Sequence, residues 1–225
     1  MNASDLVISG DGSHTLKLKG VDEHYHSVYG ALAESRHVFI RAGLKHISLQ
    51  GNEELSILEL GFGTGLNTLL TLCELLDKGV ETLYTAIEAF PLEDGIWQRL
   101  NYPELIRHKQ ARELFLTIHE AAWEKTVKVE KGFLLHKRQI KFQDLQPGPE
   151  QYNLVYFDAF SPEVQPELWT EDIFRKIAQM LVKEGILVTY SAKGSVRRAL
   201  ETSGLRVERL PGPEGKREMI RAIKC

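Results

Sequence analysis

The segment Leu58-Glu59-Leu60-Gly61-Phe62-Gly63-Thr64-Gly65-Leu66-Asn67 constrains this chain more than any other. An apolar run of strand type passes into three alternate glycines, and helical spacing begins at once over residues 66–76. Glycine reaches positive φ without penalty and lets a ligand approach the backbone. A helix that starts behind such a loop points its free N–H groups and positive dipole end at whatever the loop cradles. The rest of the chain has the matching rhythm. Strand-like runs fall at residues 56–60, 83–88, 153–157, 186–190, 206–210 and 219–223, and helical spacing at 66–76, 92–100 and 171–182. This alternation predicts an α/β fold with a mostly parallel sheet covered on both faces. The turn-rich Pro211-Gly212-Pro213-Glu214-Gly215 between the last two runs predicts a closing antiparallel strand pair. The first 50 residues differ: a polar, His-containing start and then a helical stretch from about Tyr29 to Leu49. Residues 1–50 are expected as a small extension packed on a core of residues 51–225, within a single domain.

At 225 residues, with 43% hydrophobic and 26% charged side chains, the chain can bury a sizeable core without a staple. No apolar run approaches the roughly 20 residues that a membrane span needs. Residues 1–12 lack the basic-then-apolar pattern of a signal peptide. Cys73 and Cys225 form neither a disulfide framework nor a zinc pattern, so the cytoplasm is the expected compartment and no metal is expected. His24 and His26 read as a surface pair. Net charge is −3, but residues 191–225 carry nine Lys and Arg against four Glu, a net +5. That asymmetry reads either as a solvated face or as a local anion-binding patch.

The glycine spacing separates two cofactor classes. A dinucleotide fingerprint places its third small residue three positions beyond the second glycine. Here Gly65 follows Gly63 by two and Leu66 stands at the third position, so the dinucleotide pattern fails. The E-x-G-x-G-x-G arrangement instead resembles the S-adenosylmethionine loop of Rossmann-like class I methyltransferases. That resemblance implies cofactor binding by Glu59, Gly61, Phe62, Gly63, Thr64, Gly65 and Asn67. It further implies an acid at the end of the next strand to accept from the ribose hydroxyls, a place held by Glu88. Asp144, in Phe142-Gln143-Asp144-Leu145, matches the acceptor for the adenine amine.

Asp158 closes the apolar run Asn153-Leu154-Val155-Tyr156-Phe157, which puts a carboxylate at the ligand-binding edge of the sheet. Phe160 and Pro162 follow it, and this loop resembles the Asp/Asn-Pro-Pro-aromatic loop of amine-directed methyltransferases. A closer resemblance extends over nearly the whole chain from about Ser27. Asp158-Ala159-Phe160-Ser161-Pro162 with Gln165-Pro166-Glu167-Leu168-Trp169-Thr170 is similar to the signature of the MnmC methyltransferase-domain family, which modifies the tRNA wobble uridine. Further matching segments begin at Glu34, Glu88 and Ser195, and the last is Gly215-Lys216-Arg217-Glu218-Met219. Gln165 stands where that family commonly has Asn.

The resemblance implies S-adenosylmethionine-dependent N-methylation of a 5-aminomethyl group on the uridine. It points to the standalone form of the family, without the flavin-dependent oxidase domain, and so to no flavin. Asp158 is expected to orient the amine or accept its proton, and to border the cofactor as well. Phe160 and Trp169 are expected to wall the amine pocket or stack on the base, with packing as the other reading of Trp169. Lys193, Arg197, Arg198, Lys216 and Arg217 are expected to hold phosphates of the tRNA anticodon arm. The competing readings are methyl transfer to another amine, a nucleotide-dependent oxidoreductase, and a non-catalytic RNA-binding protein.

Overall fold

Side chains on successive strand residues point to opposite faces of a sheet, and here both faces are apolar. Ile57, Leu154, Tyr156, Ile186 and Val188 pack on one side, while Leu58, Val155, Phe157 and Leu187 pack on the other. The computed structural model describes residues 3–47, 54–76 and 78–225. In chain order its elements are β1 (Ala3–Ile8), β2 (His14–Leu18), α1 (Ala31–Ser35), β3 (Leu55–Leu60), α2 (Leu66–Leu75), β4 (Thr82–Ile87) and α3 (Asp94–Trp97). There follow α4 (Tyr102–Leu105), α5 (Ala111–Glu120), β5 (Thr126–Glu130), β6 (Phe133–Arg138) and β7 (Tyr152–Phe157). The chain ends with α6 (Glu171–Met180), β8 (Leu181–Thr189), α7 (Gly194–Thr202), β9 (Leu205–Pro211) and β10 (Glu218–Lys224).

The main sheet has the order β5-β6-β4-β3-β7-β8-β10-β9. Strands β6, β4, β3, β7 and β8 are parallel, and β10 runs antiparallel between β8 and β9. Helices α2 and α5 cover the first face; α6 and α7 cover the second. Because β4 and β7 lie on opposite sides of β3, the chain reverses direction of travel there, and a crevice opens at the carboxyl ends of β3 and β7. This is the Rossmann-like α/β architecture, with the closing antiparallel pair in place.

Three parts differ from the expectation. The polar start contains the β1–β2 hairpin, and α1 continues into a π-helical turn, Arg36–Arg41, then a 3-10 turn, Leu44–His46. Leu49, the expected end of that stretch, lies outside the described residues. The expected helix at residues 92–100 is only α3. An additional hairpin, β5–β6, and helix α5 precede β7. Both carried a signal: Ala111, Leu114, Phe115 and Ile118 have helical spacing and are buried, and Lys131-Gly132, with Gly132 at φ +73°, makes a two-residue hairpin turn.

Candidate active site

The loop after β3 is held from both sides. Gly61 N–H (2.9 Å) and Phe62 N–H (3.2 Å) both donate to the Ile87 carbonyl at the end of β4. Gly61 lies at φ +92°, and a Cβ there would collide with the Asp158 carbonyl oxygen at the end of β7. Only glycine satisfies both conditions. Gly65, at φ +71°, starts α2, and a Cβ there would stand 2.8 Å from His119 Nε2. Glu88 spans the loop edge: its Oε2 accepts from Gly63 N–H at 3.0 Å and its Oε1 from Phe90 N–H at 2.9 Å. Burial pushes the Glu88 carboxyl up, opposed by these backbone donors.

Asp158 stands at the neighbouring strand end. Asn67 Nδ2, from the first turn of α2, donates to Asp158 Oδ2 at 2.8 Å. Burial raises the Asp158 carboxyl to about 7, and nearby Glu34 pushes the same way; the Asn67 donor and Lys216 pull it down. Beneath it, fully buried Glu59 accepts from Thr68 Oγ1 (2.8 Å) and Tyr84 OH (2.9 Å). Burial raises Glu59 to about 8, so its protonated form prevails at neutral pH. Its Oε1 and the Asn67 Oδ1 are both buried without a partner.

The loop after Asp158 is pinned by its own side chains. Gln165 Oε1 accepts from Phe160 N–H at 3.0 Å, and Trp169 Nε1–H donates to the Phe160 carbonyl at 2.8 Å. Residues 22–29 cross the mouth of the crevice as a strap. Tyr25 meets the Phe160 ring edge-on at 5.0 Å, Ser161 Oγ donates to Glu23 Oε2 at 2.8 Å, and His26 Nε2 lies 2.7 Å from Thr64 Oγ1. Burial lowers His26 to about 4, so it is neutral. These walls enclose a cavity of about 520 Å³ that touches the Gly61–Thr64 backbone, Glu88, Asp158 and Phe160.

A model of the family described as S-adenosyl-L-methionine-dependent methyltransferase matches residues 109–225. The chain belongs to this family. The methyltransferase is 29% identical over 96% of its length to the tRNA 5-methylaminomethyl-2-thiouridine biosynthesis bifunctional protein MnmC of Aromatoleum aromaticum, covering 34% of that protein. It is 32% identical over 89% of its length to the MnmC protein of Paracidovorax citrulli, covering 32% of it. The methyltransferase thus spans about a third of the length of the curated relatives it matches. A crystal structure of MNMC2 from Aquifex aeolicus matches 99% of the chain and 70% of its own, with a TM-score of 0.80 and 26% identity. The cavity suits the family's cofactor. It is large enough for a nucleoside with a charged tail, the glycine loop leaves its wall open, and Glu88 and Gln143 offer polar groups along its length.

The structure distributes the sequence-derived candidates unevenly. Gly61, Phe62, Gly63, Thr64, Glu88, Asp158, Phe160 and Lys216 line the cavity. Glu59, Gly65 and Asn67 lie behind it, where they support the loop and Asp158. Asp144 is exposed on a 3-10 turn, and its neighbour Gln143 lines the wall instead. Trp169 is only 6% exposed and packs against Phe157, Phe174 and Tyr190, so it anchors the loop and does not wall the pocket.

Among the cations, Lys193 pairs with Glu163, Arg197 with Glu201 and Lys216 with Glu34. Arg198 and Arg217 are exposed, with no ion pair among the described residues. Sequence reasoning missed Tyr25, His26, Glu34 and Tyr190. His26 is 9% exposed, not a surface residue. Glu34 opens one of the matching segments, but no local pattern assigns any of the four a place at the site, because their neighbours are distant in sequence. Among the described residues no group of three or more His, Cys, Asp or Glu is placed to hold a metal, and no helix is long and apolar enough to cross a membrane.

Proposed function

We propose that this methyltransferase N-methylates the 5-aminomethyl group of 5-aminomethyl-(2-thio)uridine at the tRNA wobble position, giving 5-methylaminomethyl-(2-thio)uridine. The observation that carries the reading is the Asp158 carboxyl, which lines the cavity beside the glycine loop with its Oδ2 held by Asn67 Nδ2 at 2.8 Å. The names of the relatives support the choice of nucleoside. S-Adenosylmethionine, when bound, supplies a methyl carbon on a sulfonium, whose C–S bonding pair leaves with sulfur as the amine lone pair forms the N–C bond.

The chain must supply a neutral amine in line with that carbon. A free alkylamine is mostly protonated at neutral pH. Ionised Asp158 attracts the ammonium form and, being a stronger base than an ordinary carboxylate, accepts its proton within the cavity. Asn67 fixes the carboxyl rotamer through Oδ2 and leaves Oδ1 toward the amine. The Phe160 ring, braced by Tyr25, forms an apolar wall that limits water and holds the flat base. This chemistry needs neither metal nor flavin. A wobble base lies in a single-stranded loop, so it enters without melting a duplex. Arg198 and Arg217, exposed and without an ion pair among the described residues, are the cations proposed to meet the anticodon-arm phosphates, and the proposed compartment is the cytoplasm, where tRNA is.

The test is nucleoside mass analysis of tRNA carrying 5-aminomethyluridine after incubation with the protein and S-adenosylmethionine. The expected result is a gain of one methyl on that nucleoside. Methylation of a small amine with no change in tRNA would overturn the substrate, and binding of NAD in place of S-adenosylmethionine would overturn the reaction class.

A further inference from the structure

A charged pair that the proposed reaction does not use stands in the wall facing Asp158. Glu34, on α1, is 6% exposed. Its Oε2 accepts from Ser27 N–H at 2.8 Å, which ties it to the end of the strap, and its Oε1 pairs with Lys216 Nζ. Lys216 lies between β9 and β10, and its ammonium sits 3.9 Å over the Tyr190 ring centroid. Tyr190 OH in turn donates to the Ala159 carbonyl, 2.9 Å away and next to Asp158. The hairpin tip is seated by two further contacts. His37 Nε2 lies 2.8 Å from the Pro211 carbonyl, and Gly215, at φ +81°, rests so close to the Tyr29 ring that a Cβ would collide with it.

We infer that Glu34 and Lys216 form a positioning pair that latches the β9–β10 hairpin across the cavity and sets the electrostatic balance at Asp158, on which uptake of an amine depends. Two ions of opposite sign in one wall oppose each other at a third group, and removing either leaves the other unopposed. Glu34 alone would repel the Asp158 carboxylate and leave an uncompensated negative charge. Lys216 alone would hold Asp158 as a weak base and repel an incoming ammonium. The other titratable groups around Asp158 include Glu59, Tyr102 and Tyr190, with Glu23, Tyr25 and His26 on the strap and Glu88 and Glu167 along the same cavity. Glu59, at about 8, favours its protonated form and His26 is neutral, so the pair supplies the fixed opposing charges that act on Asp158. The consequence for the kinetics rests on the proposed amine substrate; the consequence for Asp158 does not.

The experiment titrates Asp158 by carboxyl 13C NMR in the full chain, with its signal assigned through Asp158→Asn. Glu34→Gln should lower the midpoint by about one pH unit, and Lys216→Gln should raise it by about one. The double variant Glu34→Gln/Lys216→Gln should fall between the two single variants. A purely structural role would move both single variants the same way or neither, and either result overturns the inference. With tRNA as acceptor, the acid limb of single-turnover methyl transfer should follow the same opposite shifts. Opposite NMR shifts without tRNA methylation would leave the pair standing and remove the proposed substrate. Methylation with an unmoved Asp158 would do the reverse.

Discussion

Asp158→Asn should trade activity for stability, and the gain should depend on pH in a defined way. The carboxyl rises from 3.8 to about 7 on folding, chiefly through burial. At about 1.4 kcal/mol per pH unit this corresponds to about 4 kcal/mol. Asp158 keeps some solvent contact in the cavity wall, which reduces the figure to about 2–3 kcal/mol. Its direction follows from proton counting. Below pH 3.8 both folded and unfolded chains hold the proton, and the carboxyl costs nothing. Between about 4 and 7 the unfolded chain releases it while the folded chain keeps it, so the native state loses stability as pH rises. Above about 7 both have released it and the loss is constant. Asn removes the charge, and its side-chain oxygen still accepts from Asn67 Nδ2. Urea denaturation at pH 4, 6 and 8 should therefore show little gain at the first, an intermediate gain at the second and about 2–3 kcal/mol at the third. Methyl transfer should fall by roughly 10²-fold or more, because Asn cannot take a proton. A variant no more stable than the parent at pH 8, or a gain of equal size at all three pH values, would refute the burial argument.

Glu88→Ala removes the acceptor of the Gly63 and Phe90 N–H groups, and calorimetry should show S-adenosylmethionine binding weaker by about 1–3 kcal/mol; unchanged affinity would remove Glu88 from the cofactor site. Gly61→Ala adds a methyl at φ +92° against the Asp158 carbonyl and should cost about 2–4 kcal/mol in thermal or urea unfolding. A cost under 0.5 kcal/mol would mean that the loop is free to move. Arg198→Ala should weaken tRNA binding and reduce its salt slope by about 0.7–0.9, whereas Lys193→Ala, already paired with Glu163, should change the slope less. An Arg198→Ala slope equal to the parent's would show that the exposed arginine makes no phosphate contact.

The segments that read correctly from sequence are those whose physics is local. Leu58–Asn67 gives its own instructions, since an apolar strand, glycines at positive φ and a helix start are each encoded by the residues that adopt them. The alternation of apolar strands with helical spacing likewise implied the parallel sheet and its crevice, and therefore the edge at which Asp158 stands. Helix α5 and the β5–β6 hairpin were missed, although helical spacing and the Lys131-Gly132 turn marked them. What tertiary structure alone decided is which groups face each other across the cavity. Glu34 and Lys216 are 182 positions apart, and Asn67 and Asp158 are 91 apart. Their meeting depends on where α1, α2, β7 and the last hairpin converge. The same convergence paired Lys193 and Lys216 with carboxylates and buried Trp169 and His26. A charge or ring in a sequence has no fixed role until folding decides whether water, a counter-charge or an apolar wall surrounds it. Burial then raises Asp158 toward neutrality, as desolvation disfavours a charge that no nearby donor fully offsets.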